Sequence, residues 1–343
     1  MSSPLLEVRD LARHYRVGAG YFAKGTLVRA LDGVSFSLDA GRTLGVVGES
    51  GCGKSTLARQ VTMIETPTSG SLMFDGRDVA RAEKGTLRML RPQVQMVFQN
   101  PYASLDPRRT IGAILAEPLA IQRRGNARDR RDAALAMLAR VGLRAEHYRR
   151  YPHMFSGGQR QRIAVARALM LAPRLIVADE PIAALDVSTQ AQVLNLLLDM
   201  QKAFGVAYLF IAHDLAVVRR IASDVLVMYL GKAVEQGPAR SVFAQPRHPY
   251  TRALLASTPS LRRRRGQVAI AMRGEAPSAL PRTAGCSFRS RCAHAIGRCA
   301  TETPPMHSVD DVRVACHRAY ELPDTIDSFD AGVPLRHDRG PTS

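Results

Sequence analysis

Residues 43 to 56 read TLGVVGESGCGKST, and they indicate the fold class. An apolar strand runs into a glycine-rich loop that ends in Lys54 and Ser55, which matches the pattern G-x-x-x-x-G-K-[ST] between a strand and a helix. In such a loop the glycines let backbone N–H groups wrap phosphates, the lysine reaches the outer phosphates and the hydroxyl binds Mg²⁺. The stretch therefore predicts a nucleotide-binding loop made of Gly48, Glu49, Ser50, Gly51, Cys52, Gly53, Lys54, Ser55 and Thr56.

Two acidic residues follow a second apolar segment, RLIVADEP at residues 174 to 181. The apolar run has the composition of a buried parallel strand, which delivers Asp179 and Glu180 to the carboxyl edge of a sheet. The first carboxylate is placed to hold Mg²⁺, and the second to orient or deprotonate the water that attacks the terminal phosphate. We expect Asp179 to be a metal ligand and Glu180 to be catalytic.

A third apolar segment, VAYLFIA at residues 206 to 212, leads into His213 and Asp214. Its composition predicts another central strand of the same sheet, with His213 at the edge where the nucleotide lies. We expect His213 to hydrogen-bond the terminal phosphate.

A second glycine-containing turn, FSGGQ at residues 155 to 159, precedes the helical run RQRIAVARALML. Glycines in front of a helix build an anion site, because unpaired N–H groups and the helix dipole face the ligand. The chain therefore has a second candidate phosphate site about a hundred residues after the first.

Together these motifs resemble those of the ATP-binding subunits of ABC transporters, in which FSGGQ stands at the signature sequence. The resemblance implies an α/β fold: a RecA-like P-loop ATPase core with an N-terminal antiparallel β layer and a helical signature subdomain. It also implies a head-to-tail dimer, in which each ATP lies between the phosphate loop of one subunit and the signature of the other. Contacts in trans to the partner's nucleotide are then expected from Ser156, Gly157, Gly158, Gln159 and Asp186.

Further residues match the family in order along the chain. Gln99 matches the loop glutamine that senses Mg²⁺ and the attacking water, so we expect it to be catalytic and, with Ser55 and Asp179, a Mg²⁺ ligand. The segment after it should form part of a groove for a membrane subunit. Tyr15 matches the aromatic residue that stacks on adenine, with packing in the N-terminal sheet as the alternative. Ile182 and Ala183 stand where the family often has Thr-Ser, and we expect altered communication between the two sites rather than loss of hydrolysis.

These placements divide the chain at about residue 236. Residues 1–236 are predicted to form the nucleotide-binding domain, with a helical subdomain at about 100–165. Within that subdomain a helical stripe is predicted for Ala134, Leu135, Leu138 and Val141. Residues 237–343 are predicted to form a small cysteine-containing extension.

The extension indicates one group of ABC transporter ATPases. Its segment QPRHPYTRALLASTPSL, from Gln245, resembles the one found in ATPases of dipeptide, oligopeptide and nickel importers, with Pro249 placed to start a helix. The resemblance implies a subunit that hydrolyses ATP to power peptide uptake, with nickel, glutathione or another small solute as the alternative. Implied partners are two transmembrane permease subunits, an extracytoplasmic solute-binding protein and a second ATPase, forming a heterodimer unless the chain pairs with itself.

Four of the five cysteines lie in this extension, at Cys286, Cys292, Cys299 and Cys316. A cytosolic setting disfavours disulfides and favours metal binding. The gaps of five, six and sixteen residues differ from the paired cysteines of zinc ribbons, and four thiolates on irregular loops suit a four-iron, four-sulfur cluster better. Zinc, with help from His294 or His317, and unligated buried thiols remain alternatives.

The net charge of +18 favours anionic partners but does not choose among them. No apolar run approaches the roughly 18 residues of a membrane span, and no secretory signal begins the chain, so we expect a peripheral protein on the cytoplasmic face of the inner membrane. A soluble ABC ATPase that acts on nucleic acid or ribosomes is the rival hypothesis. The chain has neither a second nucleotide domain nor a long coiled-coil insertion, and we expect no nucleic-acid partner.

Overall fold

The computed structural model describes residues 3–18, 25–99, 104–257 and 284–322, and all structural statements below concern these residues. Its strands form two sheets. The strands are β1 (Leu6–Val17), β2 (Thr26–Leu38), β3 (Thr43–Val47), β4 (Ser69–Phe74), β5 (Arg77–Asp78), β6 (Val94–Val97), β7 (Leu175–Asp179), β8 (Ala207–Ile211), β9 (Asp224–Tyr229), β10 (Lys232–Pro238), β11 (His307–Val309) and β12 (Val312–Val314).

The larger sheet forms the centre of the molecule, with the strand order β11-β12-β10-β9-β3-β8-β7-β6. The five strands from β9 to β6 run parallel, and every residue of β3, β7 and β8 is buried. Strands buried on both faces read as continuous apolar runs, which is why the sequence patterns predicted them correctly. Their carboxyl ends meet at one edge of the sheet.

The smaller sheet is antiparallel and has the order β2-β1-β4-β5. Its inner face packs on helix α1 (Lys54–Val61) in an apolar cluster that includes Leu6, Leu31, Leu57 and Phe74. This layer confirms the predicted antiparallel β layer beside a parallel core.

Helices cover the central sheet and build a separate helical region between β6 and β7. They are α2 (Lys84–Leu90), α3 (Ile111–Ile121), α4 (Ala127–Arg140), α5 (Gly157–Leu169), α6 (Val187–Phe204), α7 (Leu215–Ile221), α8 (Ala239–Ala244), α9 (Pro249–Ser257) and α10 (Arg298–Thr301). Of the predicted stripe, Ala134 and Leu138 on α4 and Val141 just after its end are fully buried, and Leu135 is half-buried. None of the described helices is both long enough and apolar enough to span a bilayer.

The C-terminal extension continues the central sheet. Strand β12 pairs with β10, where Val314 lies opposite Glu235, so the boundary expected near residue 236 falls inside a strand. Helix α9 begins at Pro249, as predicted, and buries Leu255 and Tyr250. Phe288 then packs edge-on against Tyr229 of β9, with ring centroids 5.2 Å apart. The extension is therefore held by backbone pairing and by an aromatic cluster.

Candidate functional site

The phosphate loop joins β3 to α1 at the carboxyl edge of the sheet. Gly53 adopts φ of 108°, and a Cβ there would overlap the carbonyl oxygen of Ala30, so only glycine fits at this position. Lys54 is 6% exposed, and its Nζ donates to the backbone oxygens of Gly48 at 2.7 Å and Glu49 at 3.0 Å. Its ammonium is therefore held inside the loop, whereas the side chains of Ser50 and Ser55 are exposed.

Two predicted metal ligands lie against each other beside this loop. Burial raises the pKa of Asp179, at the end of β7. The Ser55 hydroxyl donates a hydrogen bond to the Asp179 carboxyl, and this bond lowers the pKa in part. Asp179 is only 9% exposed, and Glu180 raises its pKa further. A divalent cation at this position would favour the charged form of the carboxyl, and a hydroxyl and a carboxylate are the oxygen ligands that Mg²⁺ prefers.

The three predicted catalytic residues meet at one carboxylate oxygen. Gln99 Nε2 donates to Glu180 Oε2 at 3.0 Å, and His213 Nδ1 lies 3.2 Å from the same oxygen. Glu180 has φ of 45°, in the left-handed region that a glutamate seldom adopts. Backbone strain of this kind persists where the surrounding structure requires it, and it often marks functional sites. The sequence placed these residues on three separate segments, and the sheet brings them together.

The signature turn lies at the start of α5. Ser156 is the N-cap: its Oγ accepts from the N–H of Gln159 at 3.3 Å, and Gln159 Oε1 accepts from the N–H of Ser156 at 3.1 Å. Because Oγ serves as an acceptor here, the hydroxyl proton is left to donate to a ligand. A Cβ on Gly158 would overlap Thr189 of α6, so the second glycine also has a packing reason that the motif did not reveal.

Asp186 begins α6 as its N-cap. The carboxylate accepts from the N–H of Thr189 at 2.9 Å and from the hydroxyls of Ser188 and Thr189, and these bonds hold its pKa well below the ordinary value. Ile182 is buried in the core, so the hydroxyl missing at this position is replaced by apolar packing.

Tyr15 lies on β1, in the antiparallel sheet. Its hydroxyl donates to Glu65 at 2.5 Å, and the Arg13 guanidinium lies 4.8 Å from the centre of its ring. Arg13 also pairs with Glu65 at 3.3 Å. One side of the ring thus already carries a cation, and adenine stacking by Tyr15 stays a prediction.

The phosphate loop has two contacts that sequence reasoning missed. The Glu49 N–H donates to the Tyr250 hydroxyl at 2.8 Å, and the Glu49 carboxylate accepts two hydrogen bonds from Arg291. These partners lie 201 and 242 residues further along the chain. The segment HPYT contains Tyr250, but nothing in its local pattern points to residue 49.

All four cysteines of the extension line one small cavity, together with Arg289, Arg318 and the two histidines at positions 294 and 317. Burial raises the pKa of the Cys286 and Cys292 thiols and raises that of Cys316 to about 11, with the neighbouring thiols adding to the shift. Nowhere in the described chain are three His, Cys, Asp or Glu side chains placed to hold a single metal ion. Among the described residues, this arrangement supports neither the zinc alternative nor the predicted four-iron, four-sulfur cluster.

Two family models match two successive parts of the chain, and similar proteins match nearly its whole length. A family model described as "ABC transporter" matches residues 31–183, and one described as "Oligopeptide/dipeptide transporter, C-terminal region" matches residues 234–299. The chain is 58% identical to the Di/tripeptide transport ATP-binding protein DppF of Pseudomonas aeruginosa, over 93% of this chain and 98% of that protein. It is 52% identical to the Dipeptide transport ATP-binding protein DppF of Escherichia coli, over 92% of this chain and 95% of that protein.

Solved structures agree with this similarity. A dimeric ATP-binding cassette, MJ0796, in a post-hydrolysis state bound to ADP and Pi, superposes with a TM-score of 0.61 at 27% sequence identity. The match covers 68% of this chain and 99% of that one. The remaining third of this chain is thus additional to the cassette.

Proposed function

The chain belongs to the family of ATP-binding proteins of dipeptide and oligopeptide ABC transporters, and we propose that it hydrolyses ATP to drive peptide uptake through separate membrane subunits. The observation that carries this proposal is the meeting of Gln99 and His213 on Glu180, beside the phosphate loop, in a chain that matches peptide-transport relatives over more than nine-tenths of its length. Nickel, glutathione or another small solute is the alternative cargo. Similarity over this length does not favour the rival role on nucleic acid.

Hydrolysis is assigned to residues of this chain. We propose that Lys54 turns from the loop carbonyls to the outer phosphates, and that Ser55 and Asp179 hold Mg²⁺, which screens the phosphate charge when bound. Gln99 orients the attacking water, and Glu180 accepts its proton. His213, with 61% of its side chain exposed, is free to donate to the terminal phosphate.

We propose that the movement of the ATPase subunits comes from their ATP-dependent dimerisation. We propose that Ser156 and the N–H groups of Gly157 and Gly158 bind the terminal phosphate of the partner's ATP, because the hydroxyl proton of Ser156 is available and the N-terminus of α5 is a ready anion site. Hydrolysis removes the bridging phosphate, which permits the two subunits to separate. A second, different ATPase chain is the proposed partner.

We propose that a groove between the central sheet and the helical region docks the protein on the membrane subunits. A cavity of about 510 Å³ is lined by residues of the segment after α1, of β6 and of α5, including Ile64 and Phe98. These two apolar residues are 57% and 43% exposed and line the same cavity, where an apolar partner would bury them. We propose that a short helix of a transmembrane permease subunit occupies this groove and places the chain on the cytoplasmic face of the membrane. An extracytoplasmic solute-binding protein would complete the complex.

The four cysteines are proposed to hold a four-iron, four-sulfur cluster. Each thiolate of such a cluster binds a different iron, so its four ligands stand further apart than those of one zinc ion. The observation that motivates the proposal is that all four thiols line one cavity. Arg289 and Arg318 on the same cavity would offset negative charge. When bound, the cluster would cross-link the loops of the extension.

One experiment tests the function. The chain is to be expressed with the permease and partner ATPase genes of its own operon or genome, purified without oxygen and reconstituted in vesicles with the solute-binding protein. Dipeptide should stimulate ATP hydrolysis and accumulate in the vesicles. Stimulation by nickel or glutathione, with none by peptides, would favour the alternative cargo. ATP hydrolysis without any solute stimulation, combined with copurification of ribosomes or DNA, would overturn the importer assignment.

A further inference from the structure

Arg291 reaches from the extension to the phosphate loop. Its Nη1 donates to Glu49 Oε2 at 2.6 Å and its Nη2 donates to Glu49 Oε1 at 2.9 Å. The side chain of Arg291 is 6% exposed and that of Glu49 is 22% exposed. A paired guanidinium and carboxylate of this kind fix orientation as well as distance, and burial makes an unpaired partner costly. The Arg291–Glu49 contact therefore differs from a surface ion pair, because it is largely buried and its two hydrogen bonds fix its geometry.

Glu49 connects this contact to the nucleotide site. Its carbonyl oxygen accepts from Lys54 Nζ, and its N–H donates to the Tyr250 hydroxyl, so the backbone and the side chain of one loop residue are both anchored by the extension. An acidic side chain in a loop that binds phosphates repels them unless its charge is paired. Arg291 supplies that pairing and also holds the loop in place.

The anchor belongs to what we call the four-cysteine module, residues 284–322. Arg291 ends a 3-10 turn (Arg289–Arg291), and Cys292 follows it directly. Phe288, 3% exposed, packs on Tyr250 with ring centroids 5.4 Å apart. Arg291 also lies 5.9 Å from the ring centre of Tyr229. The positions of Cys292 and of the Arg291 guanidinium are thus set by the same short segment.

We propose that Arg291 is a positioning residue for the phosphate loop, through which the four-cysteine module sets the affinity of the nucleotide site. This inference rests on the proposed function, because it concerns the same ATP site. It assigns the module a second role besides stabilising the extension: the loop is in its binding conformation only while the module holds Arg291 against Glu49.

The test compares Arg291→Gln with Arg298→Gln. Arg298 is the matched control, because it precedes Cys299 as Arg291 precedes Cys292 and pairs with Glu302 at 2.7 Å, but it has no contact with the loop in the structure. Binding of a fluorescent ATP analogue and steady-state hydrolysis are measured for each variant. We expect Arg291→Gln to raise Kd and KM roughly tenfold while kcat changes little. A merely structural role would lower the active fraction, and so kcat, at unchanged KM.

A charge-matched double variant keeps the test independent of folding. Glu49→Gln with Arg291→Gln removes the uncompensated charge, so its Kd should lie closer to that of the wild type than the Kd of Arg291→Gln alone. Hydrogen exchange of the peptide covering residues 45–57 should be faster in Arg291→Gln and in Cys292→Ser, but not in Arg298→Gln.

Two results would overturn the inference: a Kd for Arg291→Gln within twofold of the wild type, or a Kd for the double variant no closer to the wild type than that of Arg291→Gln alone. Failure of the proposed function is distinguishable: hydrolysis without solute stimulation would overturn peptide import while the Kd comparison still tests Arg291, whereas a wild type that binds no ATP would overturn the nucleotide site itself.

Discussion

Gly158→Ala distinguishes two reasons for a glycine in the signature turn: packing against Thr189, and close approach of the backbone to the partner's phosphate. A Cβ at this position would overlap Cγ2 of Thr189, whereas the next Thr189 atoms, Cβ and Oγ1, would lie 3.6 and 3.8 Å away, at ordinary contact distance. The conflict is therefore with one methyl group. Thr189→Ser removes that methyl and keeps the hydroxyl that bonds Asp186 at 2.8 Å.

The expected energies follow from this geometry. Forcing a methyl into a filled space costs about 1–3 kcal/mol, whereas replacing a helical glycine by alanine where there is room stabilises by about 0.5–1 kcal/mol. Gly158→Ala should thus destabilise the wild type by about 1–2 kcal/mol and be neutral or stabilising in the Thr189→Ser background. Thr189→Ser alone should cost less than about 1 kcal/mol, because its side chain is half-buried.

Urea unfolding of the four members of this cycle measures the coupling, which should be about 1–3 kcal/mol. ATPase activity of the same four proteins then tests the second reason. If the backbone at residue 158 must approach the partner's phosphate, the double variant stays inactive although it is stable. An equal cost of Gly158→Ala in both backgrounds would refute the packing reasoning, and full activity of the double variant would refute the contact in trans.

Three further predictions concern other parts of the chain. Lys54→Ala should abolish most ATP binding, whereas Glu180→Gln should retain binding, lower hydrolysis by about 10²–10⁴-fold and accumulate an ATP-bound dimer on gel filtration; normal turnover in either would contradict these roles. Burial raises the pKa of Glu235 from 4.5 to about 7. Between these pH values the folded protein keeps a proton on Glu235 that the unfolded chain loses, so the stability that this proton contributes is lost as pH rises through 7. The free energy of unfolding should fall by about 2 kcal/mol more in the wild type than in Glu235→Gln between about pH 5.5 and about pH 8, and equal slopes would contradict it. Cys292→Ser should lower the iron content of anaerobically purified protein, whereas Cys52→Ser, in the phosphate loop, should not; wild-type protein without iron or visible absorbance would exclude the cluster.

Much of the nucleotide site could be predicted because its parts are local. The strands β3, β7 and β8 are continuous apolar runs, and each is followed at once by the residues that the chemistry needs. Parallel strands in one sheet end at the same edge, so Lys54, Asp179, Glu180 and His213 could be placed near one another without coordinates. The start of α9 was also predictable, because proline favours the first turn of a helix.

Contacts between distant segments could not be predicted in this way. The packing of Gly158 on Thr189 depends on how α5 meets α6, and neither helix pattern contains that angle. The extension was predicted to begin after about residue 236, and no sequence pattern indicated that β12 would pair with β10 and continue the central sheet. Backbone pairing is nearly independent of side-chain identity, so short strands such as β11 and β12 leave little signal.

Residue types at fixed short spacing were enough to identify the phosphate loop, the carboxyl-edge acids, the signature turn and the family. Coordinates were needed to show that Gln99 and His213 converge on one oxygen of Glu180, that four scattered cysteines share a cavity, and that Arg291 holds Glu49. These contacts join residues up to 242 positions apart, and their geometry comes from the packing of whole elements rather than from any local pattern.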